Sequence, residues 1–214
     1  MKPLFIVFEG IDGSGKTTQA DLLKDYLIQL GDQAVISPEP STGLIGKMIR
    51  EAMQKSIIAI ENQQRFEEQM AYLFAADRHY HLYNDQDGVF KLINKDHCHV
   101  ITPRYYFSSL AYNCHTEAEY NFVSGLNRFF PNPDAVIYLD IPVDVAITRI
   151  EERTERDCYE KAEKLLQVRD NYQRIFKAYT GRLLILEGTE PEAELHQKVV
   201  DFITAIASLS LPEI

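Results

Sequence analysis

The chain has 214 residues, of which 45% are hydrophobic and 25% charged, with a formal net charge of −10. That length suits a single α/β domain spanning 1–214 with a full core of its own, and the acidic balance does not suit non-specific binding to a nucleic acid polymer or an anionic membrane surface. The three cysteines, Cys98, Cys114 and Cys158, are too sparse for a disulfide framework, and the apolar run after Pro3 is too short for a signal peptide or membrane span, so a cytoplasmic protein is expected.

Leu4 to Phe8 is a continuous apolar run, the pattern of a strand buried on both faces. A glycine-rich turn follows, and Lys16 to Leu30 carries apolar residues at helical spacing, with Gly31 at the C-cap position. Ala34 to Ser37 reads as a short strand. The two prolines of Pro38-Glu39-Pro40 make the next segment a loop. Helical patterning resumes near Leu44 and again from Glu61 to Tyr83. Val100-Ile101 marks a strand, Tyr105 to Cys114 a helix, and Ala135 to Leu139 the clearest later strand. Val143 to Glu152 and Tyr159 to Tyr179 read as helices on either side of an arginine-rich stretch. Leu183 to Leu186 and Glu192 to Ala207 complete the series as strand and helix. Strands alternating with helices predict βαβ units, hence a parallel five-stranded sheet with helices on both faces, a three-layer α/β arrangement.

Gly10-Ile11-Asp12-Gly13-Ser14-Gly15-Lys16-Thr17 matches the P-loop pattern in full, between a buried strand and a helix. In that context the glycines let backbone N–H groups turn inward around phosphates, and the helix N-terminus adds partial positive charge. Lys16 is expected to reach the β- and γ-phosphates of ATP and the Thr17 hydroxyl to ligate Mg²⁺. Gly10, Asp12, Gly13, Ser14, Gly15 and Thr18 complete the expected nucleotide-facing set. The motif alone does not separate a kinase from an ATPase or GTPase.

Three later segments separate them. Phe74 and Arg78 lie at i, i+4 on one helix face. Arg104-Tyr105-Tyr106-Phe107-Ser108-Ser109-Leu110-Ala111-Tyr112-Asn113 sets several residue types at fixed spacings. Arg149, Arg153 and Arg156 share a face if that stretch is helical. With the P-loop, these segments resemble the thymidylate kinases, a family of P-loop nucleoside monophosphate kinases, from Phe5 to the last strand.

The resemblance implies ATP as donor, Mg²⁺, dTMP as acceptor and a homodimer. It implies that Phe74 stacks on the base and Arg78 bonds a base carbonyl, roles to which an aromatic plane and a forked donor are suited. It implies that Arg104 holds the acceptor phosphate, that Ser109 and Asn113 lie near the base, and that Tyr112 lies against the sugar. Glu39 belongs to a loop that touches the acceptor, and Asp12 faces both nucleotides. The segment at about 149–160 corresponds to the family's LID, a short flap over ATP. The P-loop has no Arg or Lys at Ile11 to Ser14, a feature of the subtype in which LID arginines are catalytic. Arg153 and Arg156 are therefore the catalytic candidates beside Lys16 and Arg104, with Arg149 near adenine. Gly188-Thr189-Glu190 stands at the family's adenine loop.

Two departures concern the acceptor end. Pro103 replaces the family's acid before Arg104, and Pro38 replaces an arginine before Glu39. The missing acid is expected either to weaken metal handling or rate, or to be replaced by Asp12 or Glu39, and Arg50 either to compensate at Pro38 or to be an ordinary surface residue. A kinase with another nucleotide or nucleoside acceptor and a degenerate nucleotide-binding protein remain the alternatives. His97-Cys98-His99 lacks a second ligand cluster and reads as strand-edge residues, His79 and His81 as structural or exposed, and Phe129-Phe130-Pro131 as a loop anchor.

Overall fold

The β1 strand, Phe5–Glu9, is buried at every residue, and its alternating side chains feed two separate cores. Phe5 and Val7 join a cluster with Val100, Val136, Tyr138, Phe107 and Phe176. Ile6 and Phe8 join another with Ile101, Ile137, Leu23, Leu27 and Val199. A period-2 pleat with apolar residues at every position demands cover on both sides. That is why the apolar run calls for a three-layer architecture.

These positions come from a computed structural model that describes residues 1–54, 58–151 and 159–208. In chain order, α1 (Lys16–Gln29), β2 (Gln33–Ile36), α2 (Leu44–Met53), α3 (Gln63–Tyr83), α4 (Val89–Asn94), β3 (Cys98–Pro103), α5 (Tyr106–Tyr112) and α6 (Glu117–Asn127) follow β1. Then come β4 (Ala135–Asp140), α7 (Val143–Glu151), α8 (Tyr159–Ala178), β5 (Leu183–Glu187) and α9 (Glu192–Ser208). The five strands are parallel and ordered β2-β3-β1-β4-β5. The next strand in sequence after β1, β2, lies two places to one side, and β4 lies on the other side. The crevice beyond the carboxyl end of β1 is thus the topological switch at which open α/β sheets bind ligands. Among the described residues no helix is long and apolar enough to cross a membrane.

Sequence and structure differ at two helices. The α4 segment had no periodicity long enough to read. The α6 helix was also missed, although Thr116 and Glu119 form a reciprocal cap: Glu119 N donates to Thr116 Oγ1 at 3.2 Å, and Thr116 N donates to Glu119 Oε2 at 2.9 Å. This T-x-x-E signature is legible in sequence. At Phe129-Phe130-Pro131 the anchor is Phe130, packed against the core, while Phe129 is 80% exposed.

Candidate active site

Gly10, just past β1, has φ 147° and Gly13 has φ 80°. A Cβ would stand 2.6 Å from Leu139 O at Gly10 and 2.7 Å from Ala146 O at Gly13. Both positions therefore require glycine for conformation and for space. The loop curls so that Lys16, the first residue of α1, folds back over it. Its Nζ donates to Gly10 O at 2.9 Å, Ile11 O at 2.7 Å and Ser14 Oγ at 3.3 Å. Burial, then the charge of Arg104, lowers the Lys16 pKa to about 7 against the pull of Asp12 and Glu9. Thr17 lies exposed at the same helix start. Arg149 closes the loop from the other side, donating to Gly13 O at 3.3 Å and to Gly188 O at 3.1 Å. It thereby links the P-loop to the turn after β5.

Beside the P-loop is a cavity of about 320 Å³. Asp12, Glu39, Phe74, Arg78, Arg104, Ser109, Tyr112 and Asn113 all line it, so every residue expected on the acceptor side converges on one space. Its far wall comes from α2 and α3, where Phe66, Phe74 and Met70 pack with Ile49. A cavity of this size with an apolar wall and a few charged groups suits a small polar-aromatic ligand.

Arg104 marks the junction between cavity and P-loop. It follows β3 with φ 74°, a left-handed conformation uncommon outside glycine. Its Nη2 donates to Asp12 Oδ1 at 2.5 Å and to Tyr112 Oη at 3.0 Å. Its Nη1 donates to Ser108 Oγ at 3.0 Å. Partial desolvation beside the cavity pushes the Asp12 carboxyl up, but the charges of Arg104 and Lys16 more than offset this and hold it below the usual aspartate value.

Arg78 is buried and bound on three sides. Nε and Nη2 both donate to Glu39 Oε2, at 2.9 and 2.7 Å, and Nη2 also donates to Ser109 Oγ at 3.2 Å. Nη1 donates to Asn127 Oδ1. Glu39 is held in turn by His81, whose Nδ1 lies 3.2 Å from Oε1, while Nε2 lies 2.7 Å from Ser37 Oγ. Burial pushes the Glu39 carboxyl up, and Arg78 and His81 more than offset this.

This arrangement revises several expectations. Glu39 is committed to Arg78 and His81, so it does not replace the acid missing at Pro103. Arg50 is exposed, as expected of a surface residue, and is also tied to the loop that holds Glu39. It donates to Pro40 O at 3.0 Å and Ser41 O at 2.8 Å, bracing the loop. Glu9, His81 and Asn127 entered the site unforeseen. Arg153 and Arg156, and with them most of the expected LID, lie outside the described residues.

A glycine-built loop at the switch point of an all-parallel sheet defines a P-loop nucleotide-binding fold, here with a cavity opening beside the loop. The family model of thymidylate kinase matches residues 8–199. Relatives described as probable thymidylate kinases include one from Methanococcus aeolicus, 35% identical over 92% of this chain and 93% of its own. Others come from Methanocaldococcus jannaschii, 33% identical over 95% and 97%, and Pyrococcus horikoshii, 33% identical over the same shares. The chain belongs to the thymidylate kinase family.

Proposed function

We propose that the protein transfers the γ-phosphoryl group of ATP to dTMP, giving ADP and dTDP. The observation that carries this reading is the junction at Arg104, which faces the P-loop through Asp12 and the second cavity through Tyr112. In this reading the donor triphosphate lies on the P-loop and Lys16 neutralises its developing charge. Arg104 exchanges Asp12 for the acceptor phosphate, Phe74 and Arg78 face the base with Ser109 and Asn113, and Tyr112 flanks the sugar. An anionic phosphate oxygen of the acceptor attacks the γ-phosphorus in line as the bond to the β-bridging oxygen breaks. No strong base is required, so positioning and charge stabilisation carry the rate.

The exposed Thr17 hydroxyl at the α1 start offers a hard oxygen ligand. That fits Mg²⁺, a cation held by few protein groups together with substrate phosphates. When bound, the ion would neutralise phosphate oxygens. Arg153 and Arg156, outside the described residues, are the further cations that this proposal assigns to the γ-phosphate. A single domain, a cytoplasmic location and a homodimer belong to the same reading, the last testable by light scattering.

The deciding assay is acceptor-dependent ADP formation with ATP, Mg²⁺ and each deoxynucleoside monophosphate in turn. Selective turnover of dTMP is expected. Turnover confined to a different acceptor would displace dTMP from the proposal.

A further inference from the structure

The family's acid before Arg104 is absent, because Pro103 ends β3. Pro103 is the register partner of Phe8 on β1, which leaves Glu9 beside Arg104 one strand over. Glu9 is fully buried and uses both carboxyl oxygens. Oε1 accepts from Tyr105 N at 2.7 Å. Oε2 accepts from Ser108 Oγ at 2.7 Å and from Tyr172 Oη at 2.8 Å. The same two hydroxyls face Arg104 Nη1, at 3.0 Å for Ser108 and 3.5 Å for Tyr172. They also lie 2.7 Å from one another.

Arg104 therefore has two unlike edges. The Nη1 edge rests on buried hydroxyls backed by a buried carboxyl. The Nη2 edge rests on Asp12, whose side chain is 58% exposed, and on Tyr112. An incoming phosphate can compete with an exposed partner far more readily than with a buried network.

The geometry points to Glu9, acting through Ser108 and Tyr172, as the positioning group that fixes the inner edge of Arg104 so that its outer edge can exchange Asp12 for the acceptor phosphate. This rests on the reading of Arg104 as the acceptor-phosphate residue. Burial raises the Glu9 carboxyl pKa, against the charge of Arg104, so the group sits where its surroundings disfavour a free charge and partners are required. The anchor comes from β1 and α8, two elements distant in sequence, and it takes up the place that Pro103 leaves without an acid.

The test compares two ligands that differ only in the phosphate. Glu9→Gln can keep an oxygen for the Tyr105 N–H only by turning its NH2 toward Ser108 and Tyr172, whose hydroxyls must then reorient to accept, and it removes the carboxylate behind them. Tyr172→Phe removes one hydroxyl but keeps the ring, which stacks on Phe176 with centroids 5.8 Å apart, so this variant preserves the packing should Glu9→Gln not fold. Calorimetric titration should show dTMP binding weakened about tenfold in each variant, the scale of one lost hydrogen bond to a charged group. Thymidine, which lacks the phosphate, should bind as it does to the unaltered protein, and in Tyr172→Phe, which leaves the carboxyl beside Lys16 in place, the KM for ATP should not move. Unchanged dTMP binding, or equal losses for dTMP and thymidine, would overturn the anchor while leaving the kinase reading intact. An unaltered protein that neither binds nor turns over dTMP would overturn the acceptor reading and the anchor with it.

Discussion

Arg78 and Glu39 meet as a buried pair in which two guanidinium nitrogens converge on one carboxylate oxygen, at 2.9 and 2.7 Å. The side chains are 1% and 3% exposed, so neither charge has water to fall back on. A pair of this kind contributes little over an apolar replacement, yet removing one member strands the other. Glu39→Ala is therefore expected to cost about 3–5 kcal/mol of stability. For a chain of this size that lowers Tm by about 6–20 °C in a calorimetric scan. A loss under about 1 kcal/mol would mean that water or relaxation satisfies Arg78 instead. Glu39→Gln, which keeps an oxygen for Arg78, should fall between the two.

Lys16 gives a prediction in pH. In the free protein burial and Arg104 bring its pKa to about 7, whereas an unfolded lysine titrates near ~10.4. Between these values the unfolded chain holds the extra proton, so the contribution of this group to stability rises as pH increases through that window. A triphosphate placed beside Nζ favours the charged form. ATP binding at pH 8 should therefore take up protons, on the order of one per site. Titrations in buffers of different ionisation enthalpy should give binding heats that vary with the buffer in the sense of uptake. Heats independent of buffer would show that Lys16 is already charged before the nucleotide arrives. Lys16→Ala should lower turnover by several orders of magnitude while leaving thymidine binding intact.

Much of this site could be read from sequence because its determinants are contiguous. The P-loop is eight consecutive residues between a strand and a helix, and Phe74 with Arg78, or Arg104 with Tyr112, share single short segments. The residues that escaped are those whose meaning lies in distant partners. Glu9 pairs with Tyr172 across 163 positions and Asn127 with Arg78 across 49. One signal for Glu9 was available: a carboxylate that ends an apolar strand buried on both faces must have partners. His81 likewise shares the α3 face of Asp77 and Arg78, but its partners Ser37 and Glu39 belong to the loop after β2. Pattern reading assigns a face, whereas hydrogen-bond partners follow only from the fold.

Arg149 allows donor-side and acceptor-side effects to be separated. Its two contacts, to Gly13 O and Gly188 O, join the phosphate loop to the turn expected to border adenine. Lysine has one nitrogen and cannot span both carbonyls in the way a fork does. Both Arg149→Ala and Arg149→Lys are expected to weaken ATP binding by about tenfold, roughly the value of one charged hydrogen bond. Thymidine binding should stay constant in the same preparations. If only Tm falls and ATP affinity holds, Arg149 is a brace between loops with no part in the donor site.

Gly46 reverses the usual expectation for a helix glycine. Replacing an interior helix glycine by alanine ordinarily stabilises by about 1 kcal/mol. Here an added Cβ would stand 2.0 Å from Ser41 O and 2.7 Å from Ser41 N, and neither backbone atom can swing aside. Ser41 is itself pinned, since its N and Oγ both donate to Asp77, at 2.7 and 2.6 Å. The clash must therefore move the loop that carries Glu39 or shift α2 off α3. Gly46→Ala should consequently destabilise the protein and weaken thymidine binding, because Glu39 holds Arg78 at the wall of the cavity proposed to receive the base. ATP binding, carried by the loop after β1, should be unaffected. Should the variant instead be more stable, α2 is free to withdraw from Ser41, and the close approach is not required for the acceptor site.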